Sequence, residues 1–157
     1  MAIMTPLIVK VVVAALLGSV VGFERELARK VAGIRTHALV CLASALFTAI
    51  SVDAFKEHIG SVGYDPSRII SNIIVGIGFI GAGAILRHGS KVEGTTTAAS
   101  LWAIAAIGVT VGVGLFKEAV IITAIIYAIL QAVWFIEQKM RIRLSAIYKS
   151  EDEEFRN

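Results

Sequence analysis

Three stretches without a single Asp, Glu, Lys or Arg, at residues 69–86, 94–116 and 119–136, constrain this chain more than any other feature. Each is long enough to be a membrane span, because about 20 helical residues cross the hydrocarbon core of a bilayer. The chain has 157 residues, 57% of them hydrophobic and 17% charged. A soluble domain averages about 45–50% apolar and about 25% charged residues. The balance excludes a soluble enzyme and a nucleic-acid-binding domain. Cys41 is the one cysteine, which excludes a disulfide scaffold or a thiolate metal site within one chain.

The apolar periodicity predicts five spans, at about residues 7–23, 37–55, 68–87, 97–116 and 118–137, with boundaries good to about four residues. The expected fold is an all-α, polytopic bundle over 1–137, followed by an amphipathic and acidic cytoplasmic tail over 138–157. The first span is not read as a cleaved signal, because charged residues from Glu24 to Arg35 follow it in place of a small-residue cleavage site. With the N-terminus outside, eleven of the fifteen Lys and Arg residues fall on the inner side. Lys10, Lys56, Arg68 and Lys117 remain outside. The positive-inside rule therefore predicts an N-out, C-in topology.

The loops carry their own signals. Asp65-Pro66 reads as a helix start, with a carboxylate to cap free N–H groups and a proline suited to the first turn. Thr95, Thr96 and Thr97 offer hydroxyl caps for the fourth helix. Leu27, Val31 and Ile34 make an apolar stripe that predicts a short interfacial helix between the first two spans. Met140, Leu144, Ile147 and Tyr148 form a similar stripe after the fifth. The acidic run Glu151–Glu154 is expected to be disordered.

A duplication lies within the chain. Shifting the sequence by 61 aligns Lys30-Val31-x-Gly33-x-x-Thr36-x-Ala38 with Lys91-Val92-x-Gly94-x-x-Thr97-x-Ala99. Eleven identities fall in 36 ungapped positions, among them Gly22 with Gly83 and Phe55-Lys56-Glu57 with Phe116-Lys117-Glu118. Helices one and two thus resemble helices three and four, as two parallel repeats whose interface is a common place for a site. Small residues at four-residue spacing, Ala14, Gly18 and Gly22 on the first span and Gly108 and Gly112 on the fourth, favour close helix approach. Gly76, Gly78, Gly81 and Gly83 predict a central position for the third helix. These small-residue faces also suggest a homodimer.

Several motifs resemble the MgtC/SapB family. They are Gly22-Phe23-Glu24-Arg25-Glu26, Ala32-Gly33-Ile34-Arg35-Thr36-His37-Ala38, Asp65-Pro66-Ser67-Arg68-Ile69, the glycine run from Gly76 to Gly83, Gly94 to Ala99, and Leu101-Trp102. The resemblance covers about residues 10–136. It implies a bacterial inner-membrane protein tied to growth in low magnesium and, in pathogens, to survival in host cells. Family members are described as magnesium transporters and also as regulators of membrane energetics through the ATP synthase. The resemblance further implies a short form without the cytosolic C-terminal domain of longer members. Asn72 stands where many relatives carry glutamine.

The candidate functional residues follow from these motifs and from the charge pattern. An inner group comprises Glu24, Arg25, Arg35, Thr36, Arg87, Thr96 and Thr97, and the motif glycines Gly33 and Gly94 are candidates beside it. The starts of helices two and four beside Lys30 and Lys91 suit an anion such as a phosphate; alternatively, Glu24 pairs with an arginine and the threonines cap helices. A second set lies along helix three: Asp65, Arg68, Asn72, Gly78, Gly81 and Gly83, with Trp102 on helix four. Asp53, Asp65 and Glu118 are the acids that could attract Mg²⁺ at the outer mouth, and their neighbouring cations and the capping role of Asp65 offer another account. His37, His58 and His88 read as solvated interfacial side chains. No catalytic constellation and no resident cofactor are expected. The scarcity of ionisable residues at depth argues against proton-coupled transport. The expected function is non-enzymatic regulation of magnesium adaptation through a membrane partner, with ion transport between the repeats, near Asn72, as the alternative.

Overall fold

The computed structural model describes residues 4–54, 65 and 67–154. Its order is α1 (Met4–Leu27), α2 (Ile34–Ala49), a π-helical turn (Ile50–Ala54), α3 (Ser67–Gly83), β1 (Leu86–His88), β2 (Lys91–Glu93), α4 (Thr95–Gly112) and α5 (Phe116–Glu154). Four helices carry stretches long and apolar enough to cross a membrane, namely Leu7–Leu27, Ile34–Asp53, Thr95–Gly112 and Phe116–Ile136. The architecture is a helical membrane bundle, as the composition predicts. The loop holding Lys56, Glu57 and His58, and Pro66, lie outside the described residues.

The core is α2 held between α1 and α4, and glycines set the spacing. A Cβ on Gly18 would lie 2.6 Å from the His37 carbonyl oxygen and 2.8 Å from Cys41 Cβ. One on Gly22 would lie 2.7 Å from Ile34 Cα. From the other side, a Cβ on Gly108 would collide with the Cys41 carbonyl oxygen, and one on Gly112 would lie 2.6 Å from Thr48 Cβ. Lipid tails are as apolar as leucine, so this backbone-to-backbone dispersion is what holds the helices together. Val21, Ala45, Leu101, Ile104 and Ile107 fill the rest of the core.

The third helix is not central. Gly76, Gly78 and Gly83 have open space where a side chain would go, and Gly81 alone meets a neighbour, Ala98, at 3.5 Å. Phe79 is 85% exposed. At 17 residues and about 1.5 Å per residue, α3 is shorter than the roughly 30 Å hydrocarbon core. The expected continuation to Arg87 fails because the last turn tightens, with Ala84 N–H donating to Gly81 O and Ile85 N–H to Ala82 O. A β-hairpin follows, pairing Leu86 with Glu93, Arg87 with Val92 and His88 with Lys91. Its two-residue turn puts Gly89 at φ +62°, a conformation glycine adopts without strain. This short hairpin is a connection between helices and leaves the all-α class unchanged.

Three further expectations are corrected. No interfacial helix separates α1 from α2, because α1 runs on to Leu27 and a tight turn over 28–33 leads directly into α2. The threonines do not cap α4; the N-cap is Gly94, at φ +87°, and Thr95–Thr97 lie inside the helix. Glu151–Glu154 belong to α5, since no glycine or proline interrupts the chain between Phe116 and Glu154. The side chains of the stripe Met140, Leu144, Ile147 and Tyr148 lie outside what is described. The Asp65 cap is present, with Ser67 N–H donating to Asp65 Oδ1 at 2.9 Å.

The repeat is visible at the helix starts, where Gly33 and Gly94, 61 apart, both serve as N-caps. Their surroundings differ. A Cβ on Gly94 would collide with the Ala84 carbonyl, whereas one on Gly33 would meet the movable end of Glu26 at 2.6 Å. Gly94→Ala should therefore destabilise the protein by about 2 kcal/mol or more, the scale of a strained left-handed residue plus a backbone clash, and Gly33→Ala by less than about 1 kcal/mol. Unfolding in mild detergent measures both. Gly108→Ala should likewise be poorly tolerated and Gly78→Ala neutral or better. Equal losses at Gly108 and Gly78 would contradict the placement of α3.

Candidate functional site at the basic end of the bundle

Glu24 and Arg25 end α1 and are 2% and 3% exposed. Both Arg25 Nε and Nη2 donate to the Glu24 carboxylate, the latter at 2.6 Å to Oε1. A buried ion pair survives removal from water only when its hydrogen bonds are also met, and a bidentate guanidinium supplies them. Next to it, Glu26 reaches across the turn, and its Oε2 accepts from the Ile34 N–H at 3.0 Å. That carboxylate does for α2 what no side chain does for α4. Under the 61-residue shift Glu26 corresponds to Arg87, whose Nε donates to the Gly89 carbonyl at 3.1 Å.

His37 is fully buried, not solvated. Its Nδ1 faces the Gly33 carbonyl at 2.9 Å, so that nitrogen carries the hydrogen and donates. Nε2 lies 3.0 Å from Ser100 Oγ on α4, and Ser100 Oγ lies 2.8 Å from the Thr97 carbonyl. A neutral ring accepts the Ser100 hydroxyl hydrogen. A charged ring donates to it and leaves that hydrogen for Thr97. Either way His37 ties the α2 start to α4.

His37 also begins a polar seam that the sequence reading missed. His37, Cys41, Ser44, Thr48 and Ser51 recur at intervals of four and three residues along α2 and its π turn, and all five are buried. Small polar residues at helical spacing were the available signal. At the far end Lys10 Nζ meets Asp53 Oδ2 at 2.5 Å, with Lys10 8% exposed. Lys10 is a buried cation that extends along the bundle toward its end. The π turn carries Asp53, and such turns recur at functional sites. Thr48 Oγ1 is buried with no hydrogen-bond partner among the described residues. Midway, Cys41 is pressed by Gly18 from α1 and by Gly108 from α4.

The predicted site residues divide accordingly. Arg25 and Thr96 come together beside Lys30 and Trp134 around one cavity, and Glu24, paired with Arg25, lines a neighbouring one with Gln131 and Trp134. Thr97 joins the His37–Ser100 contact through its carbonyl. Gly33 and Gly94 cap helices, while Arg35 is exposed and Thr36 half-buried. Arg87 sits in the hairpin. Asp65 and Arg68 begin α3 at the opposite end, and Asn72 lines an apolar groove between α2 and α3. Gly78 and Gly83 face open space, Gly81 packs on Ala98, and Trp102 is exposed. The acids considered for Mg²⁺ are not gathered: Asp53 is paired with Lys10, Asp65 caps α3, and Glu118 is in the first turn of α5. Among the described residues no three His, Cys, Asp or Glu side chains are grouped to hold a metal ion.

Two predictions follow from these pairs. Glu24→Ala should cost about 3–5 kcal/mol, because it strands a buried guanidinium, while the double variant Glu24→Gln with Arg25→Met should lie much closer to the parent. Denaturation of the parent, Glu24→Gln, Arg25→Met and the double variant closes the cycle, and additive losses would refute the pairing. At Asp65 the Ser67 side-chain and backbone hydrogen bonds hold the carboxyl below its usual range. A lowered carboxylate pKa stabilises the fold above the ordinary value and is lost as pH falls through the lowered one. The protection of amides in the first turn of α3, corrected for the pH dependence of intrinsic exchange, should accordingly be flat near neutral pH and fall on strong acidification.

Comparison with known proteins agrees with the architecture. A profile described as the MgtC family matches residues 11–139. The chain is 42% identical over 112 residues to the putative magnesium transporter YhiD of Escherichia coli K12, a match covering 70% of this chain and 52% of that protein. It is 43% identical over 124 residues to protein MgtC of Salmonella typhimurium LT2, covering 79% of this chain and 51% of the relative. An uncharacterized protein of Haemophilus influenzae is 43% identical over 122 residues, covering 74% and 51%. The chain spans about half the length of these curated relatives. No solved structure matches it. On the profile, the identities and the helical membrane bundle together, this chain belongs to the MgtC family.

Proposed function

We propose that this protein is a non-enzymatic membrane regulator in magnesium adaptation and membrane energetics, working through a protein partner in the bilayer. The observation that carries the reading is the closure at Cys41. Backbone from α1 and backbone from α4 press on this one residue from two sides, which leaves no room for a passage along the polar seam of α2 at that level. A conduit needs a continuous polar path, and its ions need sites weak enough to leave. Two ion pairs close the seam's ends instead.

A partner has a surface to meet. The groove between α2 and α3 has a volume of about 520 Å³ and is lined by Leu39, Phe47, Ile69, Ile77 and Ile80, with Asn72 as its amide. An amide facing lipid has no water to satisfy it and favours pairing with another helix. The family resemblance points to the ATP synthase as that partner, and a second copy of this chain is the other occupant. The charge count favours the inner membrane of a bacterium, with the basic end in the cytoplasm. The name of the Escherichia coli relative supports the competing reading, magnesium transport along the repeat interface near Asn72.

Two experiments separate these readings. Purified protein in liposomes should give no Mg²⁺ flux above empty vesicles under an imposed potential; saturable flux that Asn72→Leu abolishes would make it a transporter. A photo-crosslinker at Phe79 should capture one defined membrane protein, and one at Leu16, on the lipid face of α1, should not. The same random neighbours from both positions would rule out a specific partner at α3.

A further inference from the structure

We infer that the cavity between the end of α1 and the middle of α5 is a binding site for one anionic phospholipid, with the phosphate at Arg25, Lys30 and Thr96. The cavity has a volume of about 120 Å³. That is below the roughly 300–1,000 Å³ of a site for a drug-sized ligand, and it suits a phosphate whose chains lie outside. Two cations line it and no acid does: the lining is Arg25, Lys30, Thr96, Ile129, Leu130, Val133 and Trp134. Arg25 is 97% removed from solvent exposure, being 3% exposed. Its Glu24 bonds use two donors of the five a guanidinium carries. The third guanidinium nitrogen, Nη1, takes part in neither bond. A charge this deep needs more partners than one carboxylate, and a phosphate oxygen is the natural acceptor.

The opposite wall states where the ligand comes from. Ile129 and Val133 are 56% and 48% exposed on α5, and Trp134 is 38% exposed. In a bilayer these side chains face acyl chains, and tryptophan settles at headgroup level. A molecule entering here arrives from the lipid, chains along Ile129 and Val133 and head toward the basic end. Basic pockets between spans bind anionic headgroups on this principle. The duplicate position at the start of α2 offers no such site, because the Glu26 carboxylate occupies it. This inference is independent of the partner reading above.

The chain has two tryptophans, so Trp102→Phe leaves Trp134 as the sole emitter beside the cavity. Vesicles of phosphatidylcholine carrying brominated phosphatidylglycerol should quench Trp134 at least about threefold more than vesicles with the same fraction of brominated phosphatidylcholine. Lys30→Gln and Thr96→Val should each bring the ratio toward one, while Lys91→Gln, on the hairpin and outside the cavity, should leave it unchanged. Both lysines are exposed, so neither change threatens folding. Equal quenching by the two lipids overturns the site. An equal loss in Lys91→Gln also overturns it, reducing the preference to the general charge of this end. Reversal by added inorganic phosphate would assign the cavity to a free anion and overturn the lipid assignment.

Discussion

The closeness of α2 to its two neighbours governs the rest of the structure. In hydrocarbon there is little hydrophobic gain in bringing helices together, so association rests on dispersion between surfaces that fit. Gly18 and Gly22 on one side and Gly108 and Gly112 on the other let backbone lie against backbone. With α2 enclosed, its buried face need not be apolar. It carries His37, Cys41, Ser44, Thr48 and Ser51, whose polar atoms lipid would not accept. The ion pairs Glu24–Arg25 and Lys10–Asp53 stand where this enclosed face approaches either membrane surface. Charges placed there are shielded from lipid yet near the headgroups, the arrangement that makes an intramembrane charge tolerable.

Duplication built the bundle, and divergence between the copies gave its ends different roles. In the first copy α1 continues to Leu27, the turn is short, and Glu26 closes the start of α2. In the second, the helix ends at Gly83, a hairpin fills the connection, and the residue matching Glu26 is Arg87. Gly94, at φ +87°, joins hairpin to helix because only a residue without Cβ passes the Ala84 carbonyl. As a result α1 and α2 form the interior with α4, and α3 is held mainly against α4 with most of its glycines uncovered. The same glycine-rich composition serves a packed interior in one copy and an open face in the other.

Much of this was legible in the chain, and the reasons are local. Runs without charge mark spans because the bilayer tolerates no unpaired charge at depth. Asp65 acts within two residues of itself, so the helix start was readable. The 61-residue shift located Gly33 and Gly94 as equivalent starts, since related sequences keep the positions where the chain turns. The glycines of α3 misled, because a glycine in a span records that close approach is allowed and not that a neighbour is present. His37 misled as well: a histidine next to a turn reads as solvated until a serine 63 positions later is brought to its ring.

The sequence by itself determined that this is a helical membrane protein of duplicated halves with one basic end, because bilayer thickness, charge cost and residue spacing act on neighbours along the chain. Only the tertiary structure decided which helix is enclosed, that Lys10 meets Asp53 across 43 positions, and that Arg25 and Lys30 share a cavity with Trp134. Those facts depend on which faces of distant helices meet. In a bundle held by dispersion, shape selects those faces, and shape arises only when the helices are packed.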